Sequence, residues 1–377
     1  MGHLLVTNDF PPKIGGIQSL LYELWRRLPP AEVTVLTTRF EGAATFDRDQ
    51  AFRIVRAGSA ALLPTPGLVR QIRSLSAEVG AGLVVLDPAL PLGLVGRWLE
   101  RPYAVLLHGA EVTVPARLPV AKDLLASVLG PAEVVIAFGG YPAAEARRVL
   151  AGHQPRIVVI PPGVDLDRFR PLAPKEREAA RVRLGLPADG PLIVSVSRLV
   201  PRKGIDVLIR AVALLRPDFP DLHLAVGGQG RDLCRLARLV RSQGLQHAVH
   251  LLGRVSEHDL PLLDGAADIW AMLCRDRWLG LEQEGFGIVF LEAAATGVPQ
   301  LAGRSGGAHE AVVHGKTGLV LDDPADAAAA ATALRSLLVD PSRRHSLGHA
   351  ARERAEREFD YSVLSERVRV ALGQAGG

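Results

Sequence analysis

Cysteine is nearly missing: the 377 residues hold two, Cys234 and Cys274. Neither lies in a CxxC pair or a metal-ligand spacing, which excludes a disulfide framework and a cysteine-ligated zinc site and fits a reducing compartment. Aromatic residues are scarce at 5%, and no aromatic-basic platform of the kind that binds single-stranded nucleic acid can be assembled from them. An excess of one charge is missing too. Lys and Arg number 44 against 40 Asp and Glu, a net +4, and the arginines are scattered, so nucleic acid is not an expected partner. Arg26, Arg27, Arg70, Arg73, Arg117 and Lys122 make the first half basic in places. They read either as a solvated surface or as a contact for an anionic membrane surface or a phosphorylated acceptor. Long hydrophobic runs are absent. The stretch from Leu83 to Val95 is interrupted by Pro88 and Pro91, and nothing reaches the roughly 18–20 residues that span a bilayer. Met1 to Asn8 enters a short strand directly, without the features of a signal peptide. Any membrane contact is therefore expected to be peripheral.

What is present is an ordinary globular composition, 48% apolar and 22% charged, in a chain long enough for two domains. Short apolar strands alternate with amphipathic stripes. Leu4–Thr7, Val33–Thr37, Leu83–Asp87, Tyr103–Leu107, Val134–Ala137 and Ile157–Ile160 read as buried strands. Helical stripes fall near 17–28, 67–79, 116–129 and 141–150. A proline-rich, charged stretch interrupts this around 161–190, and the alternation restarts at Leu192. The expectation is an α/β chain of two Rossmann-like domains with parallel sheets covered on both faces. Its parts are an N-terminal domain over 1–165, a linker over 166–190, a second domain over 191–345, and a helical segment over 346–377 crossing back to the first domain.

Several segments have the residue types that chemistry on a charged ligand needs. Gly15 and Gly16 follow Pro11-Pro12-Lys13-Ile14 and precede a helix. Adjacent glycines there let backbone amides approach a phosphate, although such a pair can equally be a plain turn. Arg198 and Lys203, in Ser197-Arg198-Leu199-Val200-Pro201-Arg202-Lys203-Gly204, are five apart around a proline turn. They could converge on one diphosphate or form an exposed basic loop. Glu284 and Glu292 bracket Gly285-Phe286-Gly287-Ile288-Val289-Phe290-Leu291. A fully helical path would separate them by about 12 Å, too far for a glycosidase pair but suited to gripping two ends of a nucleotide sugar. Glu292 lies among apolar residues, so burial would oblige it to find a hydrogen-bonding partner such as a ribose diol. Gly303-Arg304-Ser305-Gly306-Gly307 reads as a turn or as a further set of diphosphate donors. His108, at the end of a predicted parallel strand, is either a satisfied loop histidine or a ligand-facing group. Gly227-Gly228-Gln229-Gly230 is half of a dinucleotide fingerprint or a tight turn.

Taken together, these motifs resemble glycosyltransferase family 4, over nearly the whole chain, most specifically in the Glu284/Glu292 element and the Arg198/Lys203 loop. The segments Thr7 to Pro12, Gly15 to Ser19, Ser197 to Gly204 and Glu284 to Gly307 carry the likeness, which is strongest to the family's mannosyltransferases that act on phosphoinositol lipids. The resemblance implies a GT-B fold and transfer of a hexose with retention. It favours mannose from GDP-mannose to a phosphatidylinositol mannoside, by a cytoplasmic enzyme that could work at the inner face of the plasma membrane. No permanently bound cofactor or essential metal is implied. By the same resemblance, Gly15, Gly16, Arg198 and Lys203 would hold the donor diphosphate, together with the segment Gly285, Phe286, Gly287 and Ile288. Glu284 would contact the sugar hydroxyls, Glu292 the ribose, and His108 the reacting carbon. Asp9 and Gln18 would lie toward the acceptor. Asp165-Leu166-Asp167 reads as structural or cleft-lining and not as a metal clamp. The alternatives are transfer of glucose or N-acetylglucosamine from UDP or ADP to a small molecule or polysaccharide, a nucleotide-sugar epimerase, or a non-catalytic binding module. The pattern departs from the family at Gly139-Gly140-Tyr141, at Cys274 to Gln283, and at His309.

Overall fold

The computed structural model describes residues 2–150, 155–278 and 282–375. It divides into two units, Met1–Gly163 with Tyr361–Gly377, and Val164–Asp360.

The first unit is built on seven strands: β1 His3–Thr7, β2 Val33–Thr37, β3 Arg53–Arg56, β4 Leu83–Asp87, β5 Tyr103–Leu107, β6 Val134–Ala137 and β7 Arg156–Val159. They pair in the order β3-β2-β1-β4-β5-β6-β7, all parallel. The inner strands are buried along their whole length, as expected of parallel strands with helices on both faces. One face is packed by Leu68, Val69, Ile72 and Leu75 of the helix Pro66–Glu78. The other is packed by Leu20, Leu21, Leu24 and Trp25 of the helix Gly16–Trp25, and by Tyr361, Leu364 and Val368 of the helix Tyr361–Gly373. The apolar residues of 67–79 therefore belong to the core, and the stripe offers no membrane face of its own. Strand β3 and the helix Ala43–Arg48 have no strong apolar period, and sequence reading passes over both.

The second unit repeats the plan with β8 Leu192–Val196, β9 His223–Gly227, β10 Val249–Gly253, β11 Ile269–Met272, β12 Gln300–Gly303 and β13 Gly318–Leu321. Their order is β10-β9-β8-β11-β12-β13, again parallel. The alanine run opens the helix Ala327–Leu338, where Ala330, Ala331, Leu334 and Leu337 pack with the helix Ile205–Leu215.

Residues 166–190, expected as a linker, lie in the second unit. Proline 174 starts a helix, Pro174–Arg183, as its fixed φ suits the first turn. Buried Arg181 ties that helix down, donating to the carbonyls of Ala188, Gly190 and Ala266 and to Asp268. The C-terminal segment is two helices, not one. Pro341–Glu358 belongs to the second unit and Tyr361–Gly373 to the first. Between them Phe359 is buried and Asp360 bridges to Val164.

Candidate active site

Parallel sheets leave a crevice at the carboxyl ends of strands where the strand order reverses, because neighbouring connections diverge there. In the first sheet that point lies between β1 and β4, and in the second between β8 and β11. A charged or polar cluster occupies each.

In the first unit, register sets Thr7 opposite Asp87, and the Thr7 hydroxyl donates to Asp87 Oδ2 at 2.6 Å. Asp87 Oδ1 lies 2.8 Å from His108 Nε2, one residue past the end of β5. The His108 ring stacks on Phe138 with centroids 4.9 Å apart. The backbone amides of His108 and Gly109 donate to the Glu111 carboxylate, which fixes the turn. Burial works against charge on the ring, but Asp87 outweighs it and raises the His108 pKa above the ordinary histidine value. His108 Nδ1 is buried without a partner. Nearby, Asp9 Oδ1 accepts from Lys13 Nζ at 2.8 Å and from Gln18 Nε2 at 2.5 Å. A Cβ at Gly15 would come within 2.2 Å of Gln18 Oε1, so glycine lets Gln18 fold back beside Asp9. The helix Gly16–Trp25 carries no side-chain cap, and its exposed first turn at Gly16 keeps the amide-rich end that attracts anions.

In the second unit, Arg198 follows β8 and is exposed. Its loop is backed by Gly227-Gly228-Gln229-Gly230. A Cβ at Gly228 would lie 1.9 Å from the Ser197 carbonyl, and one at Gly230 would lie 2.2 Å from that of Leu199. The half-fingerprint is therefore a tight support for the Arg198 loop. Lys203 ends a short turn, Pro201–Lys203, and is buried. Gly204 follows at φ 69°, and a Cβ there would meet the Leu273 carbonyl at 2.0 Å, so only glycine brings the β8 loop this close to the end of β11. Lys203 Nζ donates to Glu284 Oε2 at 2.6 Å, and an Arg202 nitrogen reaches the same oxygen at 2.7 Å. The Cys274 thiol stands 3.6 Å away, its pKa pushed up by burial and by Glu284. Burial alone would raise the Glu284 carboxyl, but Lys203 and Arg202 overcome it and hold it at about 2. The Glu284 amide donates to Ser305 Oγ at 3.2 Å, and that hydroxyl donates to Asp276 at 2.6 Å.

Glu284 and Glu292 do not share surroundings. Glu284 precedes the helix Ile288–Ala295, and Glu292 lies inside it. Burial pushes the Glu292 carboxyl up to about 7, with Arg168 opposing and Glu257 assisting. Asp264, which accepts from the Trp270 indole at 2.9 Å, is raised well above the usual range by burial and then by Glu292. A carboxylate whose folded-state pKa is raised costs stability once the pH exceeds its unfolded value, and the cost is complete above the folded value. The variant Glu292→Gln is thus expected to be more stable than wild type at pH 8, by about 2 kcal/mol, and to lose most of that gain by pH 5. Calorimetric scans at the two pH values measure it; an advantage that grows on acidification contradicts the assignment.

Some expected donors are otherwise engaged. Phe286 is a core side chain, edge-on to Phe359 at 6.0 Å, so only its backbone is available to a ligand. The Gly307 amide donates to the Glu284 carbonyl at 3.0 Å. Gly306 and Gly307 pack against the carbonyls of Glu284 and Gly285 and so support the Glu284 loop. Gly287, at φ 87°, caps the helix that Ile288 begins. Asp165 accepts from the amides of Asp167 and Arg168, a local turn. Of the departures, Gly139 and Gly140 open the helix Gly140–Val149, and the Tyr141 hydroxyl lies 2.9 Å from that of Thr113. His309 sits in the short helix Ala308–Ala311. In the 274–283 segment, Leu279, Gly280 and Leu281 lie outside the described residues, and Trp278 is exposed under the Arg277 guanidinium at 4.9 Å. Among the described residues no group of three or more His, Cys, Asp or Glu is placed to hold a metal ion.

Sequence reasoning missed Asp87, Thr7 and Arg202. Asp87 is the last residue of an apolar strand, and a carboxylate closing such a run is a legible signal for a buried polar partnership. Arg202 stands beside Lys203 in the quoted motif. Its partner, 82 positions away, could not be read from spacing.

Two Rossmann-like units of parallel sheet, each with such a cluster at its switch point, are the parts of the GT-B architecture. Residues 14–168 match the family model described as Glycosyltransferase Family 4, and residues 176–354 match that of Glycosyl transferases group 1. The chain belongs to glycosyltransferase family 4. It is 41% identical over 373 residues to the GDP-mannose-dependent alpha-(1-6)-phosphatidylinositol monomannoside mannosyltransferase of Mycolicibacterium smegmatis, covering 97% of this chain and 96% of that one. It is 36% identical over 371 residues to the GDP-mannose-dependent monoacylated alpha-(1-6)-phosphatidylinositol monomannoside mannosyltransferase of Corynebacterium glutamicum, with the same coverage. Among solved structures, Anabaena HepE in complex with UDP superposes with a TM-score of 0.84 at 21% identity, over 99% of this chain and 100% of that one, which speaks for the fold.

Proposed function

We propose that this enzyme transfers mannose from GDP-mannose to a phosphatidylinositol mannoside with retention at the anomeric carbon. The observation that carries the reading is the likeness to the M. smegmatis mannosyltransferase along almost all of both chains. The site chemistry agrees with it. In the second unit, exposed Arg198 and the Lys203 ammonium would neutralise the donor diphosphate; in the first, the uncapped helix start at Gly16 would offer amides to an anionic group. Glu284 would meet sugar hydroxyls, Glu292 the ribose diol, and His108 the reacting sugar. In the transfer, the bond from the anomeric carbon to the phosphate oxygen breaks and its electron pair leaves with the diphosphate. The acceptor oxygen bonds on the same face, and its proton passes to the departing phosphate oxygen. Negative charge grows on the diphosphate as the bond breaks, so fixed cations there lower the barrier. Purified protein offered GDP-mannose, UDP-glucose and UDP-N-acetylglucosamine, each with phosphatidylinositol monomannoside, bare phosphatidylinositol and soluble acceptors, tests this. Transfer from GDP-mannose to the monomannoside is expected; transfer to soluble acceptors alone overturns it.

A lipid acceptor requires the enzyme to reach a membrane surface. No described helix is long and apolar enough to cross one. We place the contact on exposed Val114, Leu118, Val120 and Leu124, which accompany Arg117 and Lys122 along and just before the helix Pro119–Leu129. Apolar side chains beside cations suit the interface of an anionic bilayer. The double variant Val120→Asp/Leu124→Asp is expected to co-sediment about tenfold less with phosphatidylinositol-containing vesicles. Equal binding removes this surface from the proposal.

A further inference from the structure

We infer that Arg202 is a positioning residue that takes over Glu284 when Lys203 turns to the donor diphosphate; the inference rests on the nucleotide-sugar reading above. Its starting point is a mismatch of charge. One carboxylate oxygen, Glu284 Oε2, is shared by two cations, at 2.6 Å from Lys203 and 2.7 Å from Arg202, although a single carboxylate neutralises only one. The side chains of Glu284, Lys203 and Arg202 are 9%, 8% and 13% exposed, so solvent cannot make up for a lost partner.

The two cations are held differently. Lysine is a point charge on a flexible stem, and Glu284 is the acceptor that fixes its ammonium. Arginine is a planar fork, and Arg202 is anchored apart from Glu284. The nitrogen that meets the carboxylate also donates to the Gln283 carbonyl at 3.3 Å, and Glu282 lies 4.0 Å from Nε. The Arg202 carbonyl accepts from the Arg275 amide at 2.9 Å, and the Arg275 guanidinium grips buried Asp206 at 3.0 and 3.1 Å. An incoming diphosphate can therefore draw Lys203 away while Arg202 stays.

The consequence is an exchange of partners. Lys203 moves from carboxylate to phosphate, and Glu284 stays ionised and oriented on Arg202, with its remaining lone pairs turned to the ligand. Without Arg202, Lys203 is the sole counter-charge of a buried carboxylate, and releasing it to a phosphate leaves Glu284 uncompensated. Arg202 thus favours diphosphate binding through Glu284, without touching the ligand.

The test is a double-mutant cycle read by calorimetric titration with GDP, on wild type, Arg202→Gln, Glu284→Gln and the double variant. In the wild-type background Arg202→Gln is expected to weaken GDP binding about fivefold, and in the Glu284→Gln background less than about twofold, because no carboxylate then retains Lys203. Arg202→Lys should recover most of the loss. An equal loss in both backgrounds means that Arg202 contacts the nucleotide directly, and no loss in either makes it a bystander; each overturns the inference. Should Arg202→Gln fail to fold, Arg202→Met, which keeps the stem packing, replaces it in the cycle. Parallel titration with UDP separates the two claims. Wild-type protein that binds UDP and not GDP overturns the guanosine donor, and the cycle is then decided on UDP.

Discussion

Replacing Lys203 by alanine is expected to lower kcat by about a thousandfold, with a smaller change in donor KM. The ammonium is buried beside Glu284, and its proposed work is on charge that develops only as the diphosphate departs. An interaction that strengthens toward the transition state appears in kcat; one that is equal in both states appears in KM. Folding should survive, because Arg202 still holds the Glu284 carboxylate after the ammonium is gone. The expected stability loss is about 1–2 kcal/mol, below the 3–5 kcal/mol of a buried pair left without any partner. Steady-state kinetics with saturating acceptor, alongside thermal melts, separate the two quantities. A variant that melts like wild type and turns over at the wild-type rate removes Lys203 from the site.

The second large effect is expected at Asp87. The variant Asp87→Asn keeps the shape but removes the charge that holds His108. Because burial by itself opposes a charged ring, the imidazole should then lose its proton at a lower pH. The native-state pKa of His108 is raised, so the stabilisation is fully present below the ordinary histidine range and fades as the pH rises through the raised value. At pH 5.5 the variant is expected to be less stable than wild type by about 2–3 kcal/mol, and the gap should narrow toward pH 9. A fall in kcat of about a hundredfold should accompany it, if the ring works beside the reacting carbon as proposed, because it then loses the carboxylate that orients it. Thermal melts across pH and the kcat profile provide the check. A stability gap that widens with rising pH contradicts the pairing.

The alternation of buried strands and amphipathic helices was legible because each follows from local periodicity. Inner strands of a parallel sheet are continuous apolar runs, and Leu83–Asp87 and Tyr103–Leu107 are found where those runs lie. Edge strand β3 was not legible. Its residues, Arg53, Ile54, Val55 and Arg56, are at best half-buried, and an edge needs no apolar period. The helix Pro174–Arg183 was obscured for another reason. Its mean character is charged, and what fixes it is a pair of arginines, Arg177 and buried Arg181, whose partners Ala266 and Asp268 lie more than eighty positions away.

The candidate site divides the same way. Residue types at fixed short spacings, Gly15-Gly16, Arg198 with Lys203, and Glu284 with Glu292, are properties of the chain itself, and they determined the family and the class of ligand chemistry. Partnerships across the chain are not. That Glu284 holds two cations, that His108 leans on Asp87, and that Gly228, Gly230, Gly306 and Gly307 serve as supports behind loops were decided only by tertiary structure. The physical reason is that a buried charge takes its properties from whichever group folding brings within about 3 Å, and for Glu284 and His108 that group lies on another strand's loop or strand end.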